Sequence, residues 1–296
     1  MTSNLNIQPL FSILIANYNN GNYLDACLYS IFVQTYKNWE IIIVDDASTD
    51  NSISIYEKYI GNDRVKIFRN EKNSGCGFSK RKCVEHANGA ICGFVDADDA
   101  LFPTALEILV KQHLDSPECS IVYSNHYICD EGLNPQKNAD YVGQIPPNQK
   151  SVTLLLPTIS HFATFKMTKY RLTKGISDFF PKAVDKDLYY KLEETGPVLF
   201  VNQPLYFYRH HSSSISLNDQ AIVAYQYELA AKVLALLRLK NSGSLPSIVH
   251  HSKRQLTEGM IRVVYYEIKK MHLIASIKFL LGLISFFLTS SIKFFL

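Results

Sequence analysis

Short apolar runs recur along the first hundred residues of the chain, and each of them ends in polar side chains. Residues 11–15, 41–44 and 90–95 are almost wholly apolar. Runs of this length predict buried strands, and a strand without polar alternation is typical of a parallel sheet covered on both faces. Segments with helical character follow over residues 52–59 and 79–88. This alternation predicts an α/β fold with a mixed, mostly parallel sheet flanked by helices.

Acidic side chains follow two of these runs directly. Asp45 and Asp46 come after the second run, and Asp96, Asp98 and Asp99 come after the third. Because ligands of open α/β sheets bind beyond the carboxyl ends of the strands, we expect both groups at one edge of the sheet. Crowded carboxylates repel each other, and Mg²⁺ or Mn²⁺ bridging to phosphate oxygens relieves that repulsion. The alternative is that Asp99 only caps the helix that follows.

The order and spacing of several segments resemble glycosyltransferase family 2, the inverting enzymes with a GT-A fold. The first segment is SILIANYNNGNYLDACLYSIFVQTYKNWEIIIVDDASTDNS, and the second is NSGCGFSKRKCVEHANGAICGFVDADD, which ends in a DxD motif. The resemblance covers residues 10–216. It implies a GT-A, Rossmann-like fold and an enzyme that moves a hexosyl or N-acetylhexosaminyl group from a nucleotide sugar, UDP-linked, to a glycan or lipid-linked hydroxyl, as in bacterial surface-glycan assembly.

The resemblance also implies which residues hold the base of the donor nucleotide. Ala16 and Tyr18, after the first strand, would contact the nucleobase through the backbone and by ring stacking. Asp46 would accept a hydrogen bond from the uracil imide N–H, which suits a carboxylate because it only accepts. Arg81 would lie near the base or the diphosphate. Here it stands in the sequence KRK, where the family often has ARN.

The same resemblance assigns the ribose, the diphosphate and the metal. Asp96 would bind the ribose hydroxyls, and Asp98 would ligate the Mn²⁺ or Mg²⁺ that acts as a Lewis acid on the leaving nucleoside diphosphate. The later segment YFYRHHSSSIS resembles a family loop over the diphosphate. It makes His211 a second metal ligand, with Arg209 and Ser214 as further diphosphate contacts. Without the family, a histidine in a polar loop is more often simply solvated.

A general base must take the proton of the acceptor hydroxyl in such a transfer. The family takes it from an Asp at the start of a helix, and the matching residue in FFPKAVDKDLYYKLEETG is Asp185, preceded by Val184 instead of the usual Glu. Asp185 could instead be a helix N-cap. Asp187, two residues further on, is a second candidate for the acceptor side. His161 lies near the expected acceptor cleft, where a structural role is equally open.

Two other functions remain compatible with aspartates at strand ends. One is a phosphohydrolase or phosphoacceptor domain of the haloacid dehalogenase or receiver kind. Its DxD motif would normally lie on the first strand, whereas Asp96 lies about ninety residues into this chain. The other is a relative that binds a nucleotide sugar without catalysis, which the departure at Val184 leaves open.

Composition and charge predict one sizeable domain with a basic appendage. The 296 residues are 47% hydrophobic, enough for one sizeable core. Residues 231–296 carry a net charge of +8, and the rest of the chain carries −5. We therefore expect a transferase domain over residues 1–220, with a donor half over about 1–100 and an acceptor half over about 101–220, and a helical region over 221–296. No nucleic-acid partner is expected.

The end of the chain, KKMHLIASIKFLLGLISFFLTSSIKFFL, has one narrow polar stripe on an otherwise apolar helical pattern. Between Lys278 and Lys293 lie 14 uncharged residues, fewer than the roughly 20 that cross a bilayer. A basic amphipathic helix suits an anionic membrane surface. The six cysteines have no CxxC spacing, and the start of the chain is uncharged and has no long apolar stretch. Together these features predict a cytoplasmic protein. We expect peripheral contact with the inner face of the bacterial cytoplasmic membrane; packing in a homodimer and a true span are the alternatives.

Overall fold

The computed structural model describes residues 8–154, 158–177, 180–211 and 219–243. All of them belong to one compact unit, Met1–Pro246. Ser214 and the amphipathic C-terminal helix lie outside the described residues, so their roles stay predictions, as does the domain division at residue 220. No helix within the described residues is long and apolar enough to cross a membrane.

The first part of the fold alternates strands and helices as the apolar pattern predicts. The strands extend past the apolar runs, because Asn17 and Asp45 still pair with each other across the sheet. The elements are β1 (Phe11–Asn17), α1 (Gly21–Phe32), β2 (Trp39–Asp45), α2 (Ser52–Glu57), β3 (Val65–Arg69), α3 (Cys76–His86) and β4 (Ile91–Phe94).

The second part of the chain is less regular, and it adds strands of both orientations to the same sheet. Short strands and a long one are separated by helices of very different length. The elements are β5 (Ala100–Leu101), α4 (Ala105–Asp115), β6 (Ile121–Cys129), β7 (Pro135–Asn138), β8 (Ala163–Lys166), α5 (Met167–Tyr170), α6 (Val184–Glu193), β9 (Val198–Arg209) and α7 (Asp219–Asn241).

One mixed sheet joins these strands in the order β3-β2-β1-β4-β8-β6-β9-β5, with β7 beside β6. The pairs among β1 to β4 are parallel. β8 is antiparallel to both of its neighbours, and β6 pairs with β9 in parallel. The predicted mixed α/β sheet is confirmed, with the purely parallel part confined to the first four strands. Their carboxyl ends therefore meet at one edge, which is where the acidic residues lie.

Two apolar layers cover the two faces of the sheet. Ile13 and Ile15 of β1 pack in the layer that contains α1 and α4, whereas Leu14 packs in the layer that contains α3, α6 and α7. Successive residues of a strand point to opposite faces, so a strand covered on both sides must be apolar throughout. This double cover is the reason for the unbroken apolar runs in the sequence.

His113 on α4 is expected to make stability fall in mild acid. Its side chain is buried beside the Thr164 hydroxyl, with Nε2 to Oγ1 at 2.9 Å, and burial lowers its pKa to about 3. The unfolded chain binds this proton near pH 6.5, so the stabilisation is complete above that pH and is lost as pH falls toward 3. At pH 5 the free energy of unfolding should be about 2 kcal/mol lower from this residue alone.

Urea unfolding at pH 7.5 and pH 5.0 measures that difference. His113→Gln keeps a polar group next to Thr164 but has no titrating ring. We expect the variant to lose about 2 kcal/mol of the pH dependence that the wild-type protein shows. An equal pH dependence in both proteins would contradict the assignment of this effect to His113.

Candidate active site

A cavity of about 650 Å³ opens at the carboxyl ends of the parallel strands. This volume is in the usual range for small-molecule sites. Its wall is built by the loops after β1, β2 and β4, by the start of α3, by the start of α6 and by Ala224 of α7. Residues predicted from the sequence that meet in this wall are Ala16, Tyr18, Asp46, Asp96, Asp98, His161 and Asp185.

Asp46 is held in a fixed orientation by backbone donors. Its carboxylate accepts hydrogen bonds from the N–H groups of Ser74 and Gly75, both at 2.8 Å, and from Asn70 Nδ2 at 2.7 Å. Gly75 has a φ of +91°, a conformation that favours glycine and turns the loop toward Asp46. Tyr18 lies at the rim with 45% of its surface exposed. The Asp46 carboxylate and the exposed Tyr18 ring therefore both border the space predicted for a nucleobase.

Asp96 forms an ion pair with a lysine that the sequence prediction did not include. Lys80 Nζ lies 3.0 Å from Asp96 Oδ1, and both residues line the cavity. Burial alone would raise the pKa of Asp96, but the Lys80 ammonium outweighs it and holds the pKa below its usual range. The neighbouring Arg81 is not in the wall; its Nε lies 3.7 Å from Glu85 Oε1 on α3. One step along a helix separates the two side chains by about 100°.

Asp99 is not the helix cap that was considered as an alternative. Helix α4 begins at Ala105 with Thr104 in the N-cap position. The Asp99 carboxylate instead accepts hydrogen bonds from the Tyr206 hydroxyl at 2.7 Å and from the Arg209 N–H at 2.8 Å. Burial, with the charges of Asp98 and Asp96, raises the pKa of Asp99 well above its usual range. Asp99, the third aspartate, therefore links β9 to the DxD loop through hydrogen bonds.

Asp98 and His211 come together although 113 residues separate them in sequence. His211 Nε2 lies 3.0 Å from Asp98 Oδ2, and the Tyr23 ring contacts the imidazole with centroids 4.5 Å apart. Asp98 lines the cavity, whereas His211 is buried beside it and is not among the lining residues. A carboxylate and an imidazole side by side suit a divalent cation. Arg209 Nε donates to the Asp98 carbonyl at 2.6 Å.

An unsatisfied donor supports an anion at the same place. Among the described residues, Nη2 of Arg209 is buried and has no hydrogen-bond partner. A buried guanidinium nitrogen without a partner is costly, and phosphate oxygens are its usual ligands. Another potential ligand set, Asp96, Asp99 and His161, has its ligand atoms within 4.8 Å of one another. Because Asp99 is already engaged by two donors and Asp98 lines the cavity, the Asp98 carboxylate fits a cation that faces the cavity better than the Asp99 carboxylate does.

Asp185 lines the cavity from the start of α6. It is the second residue of α6, and Ala183 occupies the N-cap position, so the alternative of a simple N-cap does not hold. The Asp185 side chain is 28% exposed, and Lys186 Nζ lies 3.9 Å from its Oδ2. A carboxylate in the first turn of a helix is stabilised by the helix dipole. Asp185 is therefore an accessible carboxylate in the cavity wall.

His161 contributes to the wall and is also part of a stack of rings. Its ring stacks on Tyr206 and Tyr208, with centroids 5.1 Å and 5.0 Å apart, and meets His126 edge-on. Burial lowers the pKa of His161, although the charges of Asp96 and Asp185 oppose this effect. A neutral imidazole that is fixed by stacking can both support the wall and contact a ligand.

Asp187 is turned away from the cavity. Two positions along a helix place it about 200° around from Asp185. It is buried against Lys191, whose Nζ lies 2.6 Å from Oδ2, and Arg238 Nη1 of α7 lies 3.9 Å from Oδ1. The structure therefore places Asp187 in the contact between α6 and α7.

Asp187→Ala is expected to destabilise the protein by about 3 kcal/mol, because it leaves the buried Lys191 without its carboxylate. Denaturant unfolding checks the value. Asp115→Asn serves as the control, since it removes an exposed pair with Lys111 on α4 and should cost less than about 1 kcal/mol. A loss from Asp187→Ala no larger than the loss from the control would contradict the buried pair.

Comparisons with known proteins agree with this geometry. The model of the family "Glycosyl transferase family 2" matches residues 12–174. A hyaluronan synthase of Pasteurella multocida is 32% identical over 222 residues, which are 74% of this chain but only 22% of that protein. Glycosyltransferase GlyG of Streptococcus pneumoniae is 29% identical over 224 residues, 71% of this chain and 73% of that protein. The chain thus spans about a fifth of the synthase it matches.

Solved structures share the fold at low sequence identity. S. aureus TarS 1-349 in complex with UDP-GlcNAc has a TM-score of 0.65 at 18% identity, covering 84% of this chain and 71% of that chain. Mannosyltransferase PcManGT from Pyrobaculum calidifontis, in complex with GDP-Man and Mn²⁺, has a TM-score of 0.60 at 14% identity, covering 95% and 76%. These structures support the GT-A fold that the sheet indicates. Because the family model matches more than half of its residues, the chain belongs to glycosyl transferase family 2 and is a glycosyltransferase by family.

Proposed function

We propose that this protein is an inverting, divalent-metal-dependent glycosyltransferase that moves a sugar from a UDP-linked donor to a hydroxyl of a glycan or lipid-linked acceptor. The observation that carries the proposal is the arrangement of one cavity. Asp98 and Asp185 both line this cavity, and the buried side chains of His211 and Arg209 contact Asp98. A solved structure of similar fold is a complex with UDP-GlcNAc, and this supports the choice of donor.

The donor nucleotide would lie along the edge of β1, β2 and β4. Tyr18 stacks on the base, and Asp46, whose carboxylate is fixed by two backbone N–H groups, accepts the imide proton of uracil. Asp96 binds the ribose hydroxyls while Lys80 balances its charge. Ala16 contributes backbone contact beside the base. This arrangement places the diphosphate toward Asp98.

The leaving group needs positive charge at the diphosphate. Asp98 and His211 would hold Mn²⁺ or Mg²⁺, and that cation supplies charge stabilisation to the departing nucleoside diphosphate. The Arg209 guanidinium, whose Nη2 has no partner among the described residues, donates to a phosphate oxygen. Ser214, outside those residues, remains a predicted further contact.

Asp185 acts as the general base. As the acceptor hydroxyl oxygen forms its bond to the anomeric carbon, the hydroxyl proton passes to the Asp185 carboxylate and the bond to the UDP oxygen breaks. Inversion of the anomeric carbon is what the family implies for this transfer, with Asp185 as the base on the acceptor side. His161, which also lines the cavity, is a candidate contact for the acceptor sugar.

The acceptor and the site of action remain predictions of the sequence. A basic amphipathic C-terminal helix would keep the enzyme on the cytoplasmic face of a membrane, where lipid-linked acceptors are found. A homodimer through the same helix is the alternative. Flotation with anionic and neutral vesicles separates these two, because only membrane contact requires the anionic lipid.

Release of nucleoside diphosphate from a panel of nucleotide sugars tests the function. UDP-linked glucose, galactose, glucuronic acid, GlcNAc and GalNAc, with GDP-mannose for comparison, would be incubated with the full chain and Mn²⁺ or Mg²⁺, then with EDTA. We expect EDTA-sensitive release from one UDP-sugar. Binding of a UDP-sugar without any release, even with acceptor glycans added, would favour the inactive relative. Hydrolysis of simple phosphate esters without UDP-sugar turnover would favour the phosphohydrolase.

A further inference from the structure

Helix α6 brings a second polar side chain to the cavity wall besides Asp185. Tyr189 lies four residues after Asp185, and residues four apart on a helix share a face. Both residues line the cavity. Only 5% of the Tyr189 surface is exposed, and its ring belongs to the apolar layer that contains α3, α6 and α7. Packing therefore fixes the ring of a tyrosine that borders the cavity.

The Tyr189 hydroxyl has no hydrogen-bond partner among the described residues. The buried side-chain atoms that lack a partner in this part of the chain do not include the Tyr189 oxygen. This oxygen is therefore accessible, and the space that Tyr189 borders is the cavity. The buried hydroxyls of Tyr123 and Tyr206, by contrast, donate internally at 2.6 Å and 2.7 Å. The Tyr189 hydroxyl is thus free to bind a ligand.

Close packing of α3 against α6 brings Tyr189 near the residues proposed for the ribose. A Cβ at Gly77 of α3 would lie 3.4 Å from Val184 Cγ2, so the two helices approach each other at a glycine. Lys80, which lies one turn after Gly77, pairs with Asp96 at 3.0 Å. Both members of this ion pair line the cavity and interact electrostatically with the Tyr189 hydroxyl. The hydroxyl therefore shares its part of the cavity with this ion pair.

The protonation of Tyr189 suits a hydrogen-bond donor. Burial and the charge of Asp185 raise the pKa of Tyr189 above its usual value. The hydroxyl therefore keeps its proton at neutral pH and can donate it to an oxygen acceptor. A tyrosine ring that is already held by packing loses little conformational freedom when a ligand binds.

We infer that the Tyr189 hydroxyl donates a hydrogen bond to an oxygen substituent of the sugar that is transferred, and that it helps to select the donor. The inference rests on the proposed function, in which Asp96 binds the ribose and Asp185 receives the acceptor proton. The transferred sugar lies between nucleotide and acceptor, and Tyr189 shares the cavity wall with both carboxylates. A sugar without the matching oxygen would leave the hydroxyl unpaired, which is how such a site discriminates.

The test compares Tyr189→Phe with Tyr190→Phe in the full chain, because each change removes one hydroxyl oxygen and keeps the ring. Tyr190 is the matched control: it is the next residue of α6 and is also buried, at 7% exposure, but it does not line the cavity. Isothermal titration with Mn²⁺ measures the affinity for UDP and for each UDP-sugar of the panel. We expect Tyr189→Phe to bind the preferred UDP-sugar about tenfold more weakly and UDP as before. Tyr190→Phe should leave both affinities unchanged.

The difference between UDP and UDP-sugar separates ligand contact from a structural role. A disturbed fold would lower the melting temperature and weaken UDP as well. Equal affinities of the wild-type protein and Tyr189→Phe for every UDP-sugar, or an equal loss for UDP and UDP-sugar, would overturn the inference. A change that appears only in the KM of an acceptor glycan would also overturn it, because it would assign the hydroxyl to the acceptor.

Analogues of the preferred UDP-sugar that each lack one ring substituent identify the group that Tyr189 contacts. The analogue without that group should bind the wild-type protein and Tyr189→Phe equally, and the others should keep the tenfold difference. A difference that every analogue keeps would contradict contact with the transferred sugar. If the wild-type protein binds neither UDP nor any UDP-sugar, the proposed function fails and this inference with it. If it binds them and Tyr189→Phe binds them equally, the inference fails alone.

Discussion

Asp185→Asn is expected to lower the rate of sugar transfer by about 10³-fold while leaving donor affinity unchanged. The amide cannot take a proton from the acceptor hydroxyl, yet it has the size of the carboxylate. Asp185 is partly exposed at the start of α6, so its replacement removes no buried ion pair of the kind that holds Asp187. The effect should therefore fall on kcat and not on folding.

Two measurements check this result. UDP release, with and without acceptor glycans, gives the rate, and isothermal titration of UDP in Mn²⁺ gives the donor affinity. Asp115→Asn, an exposed residue of α4, is the control for the same chemical change. A rate within tenfold of wild type in Asp185→Asn would rule out Asp185 as the base and direct attention to His161.

Asp98→Asn is expected to weaken UDP binding in the presence of Mn²⁺ by about 10²-fold, because an amide is a poor replacement for a carboxylate ligand. EDTA should produce a loss of similar size in the wild-type protein and no further loss in the variant. His211→Ala should act in the same direction, since His211 Nε2 lies 3.0 Å from the Asp98 carboxylate.

Titration of UDP into each protein, with Mn²⁺, with Mg²⁺ and with EDTA, measures these effects. Asp25→Asn is a suitable control, because Asp25 pairs with Lys58 on the surface between α1 and α2. UDP affinity that does not respond to EDTA in the wild-type protein would remove the metal from the proposal. Affinity that responds to EDTA equally in Asp98→Asn would move the metal to other ligands.

Family membership supports glycosyl transfer as the reaction, and it does not identify the substrate. The relatives include a hyaluronan synthase of which this chain covers 22%, and a glycosyltransferase of which it covers 73%. A transferase domain that forms only a small part of a synthase can share its fold and metal site and still differ in acceptor. Among the described residues, Ala224 of α7 is the part of this cavity farthest along the chain, so acceptor choice can be examined there by substitution.

The candidate site shows which residues local sequence patterns can place. Asp46, Asp96 and Asp98 were predictable because each follows an apolar strand, and the carboxyl ends of parallel strands meet at one edge. The sequence pattern could not decide whether Lys80 or Arg81 lines the cavity. The two residues are one helical step apart, and the packing of α3 against the sheet decides which side chain faces the site. The sequence KRK contains no signal for that rotation.

The chain by itself determined the mixed α/β sheet, the edge that carries the acids and the residue types proposed for cation and base, since periodicity and strand-end position are local properties. Only the tertiary structure decided which side chains contact each other. Asp98 meets His211 across 113 positions, Asp99 links the DxD loop to β9 instead of capping α4, and Ala224 of α7 lies in the cavity wall that also contains Asp185. These contacts depend on the return of β9 and α7 to the sheet, which long-range packing sets and no short pattern records.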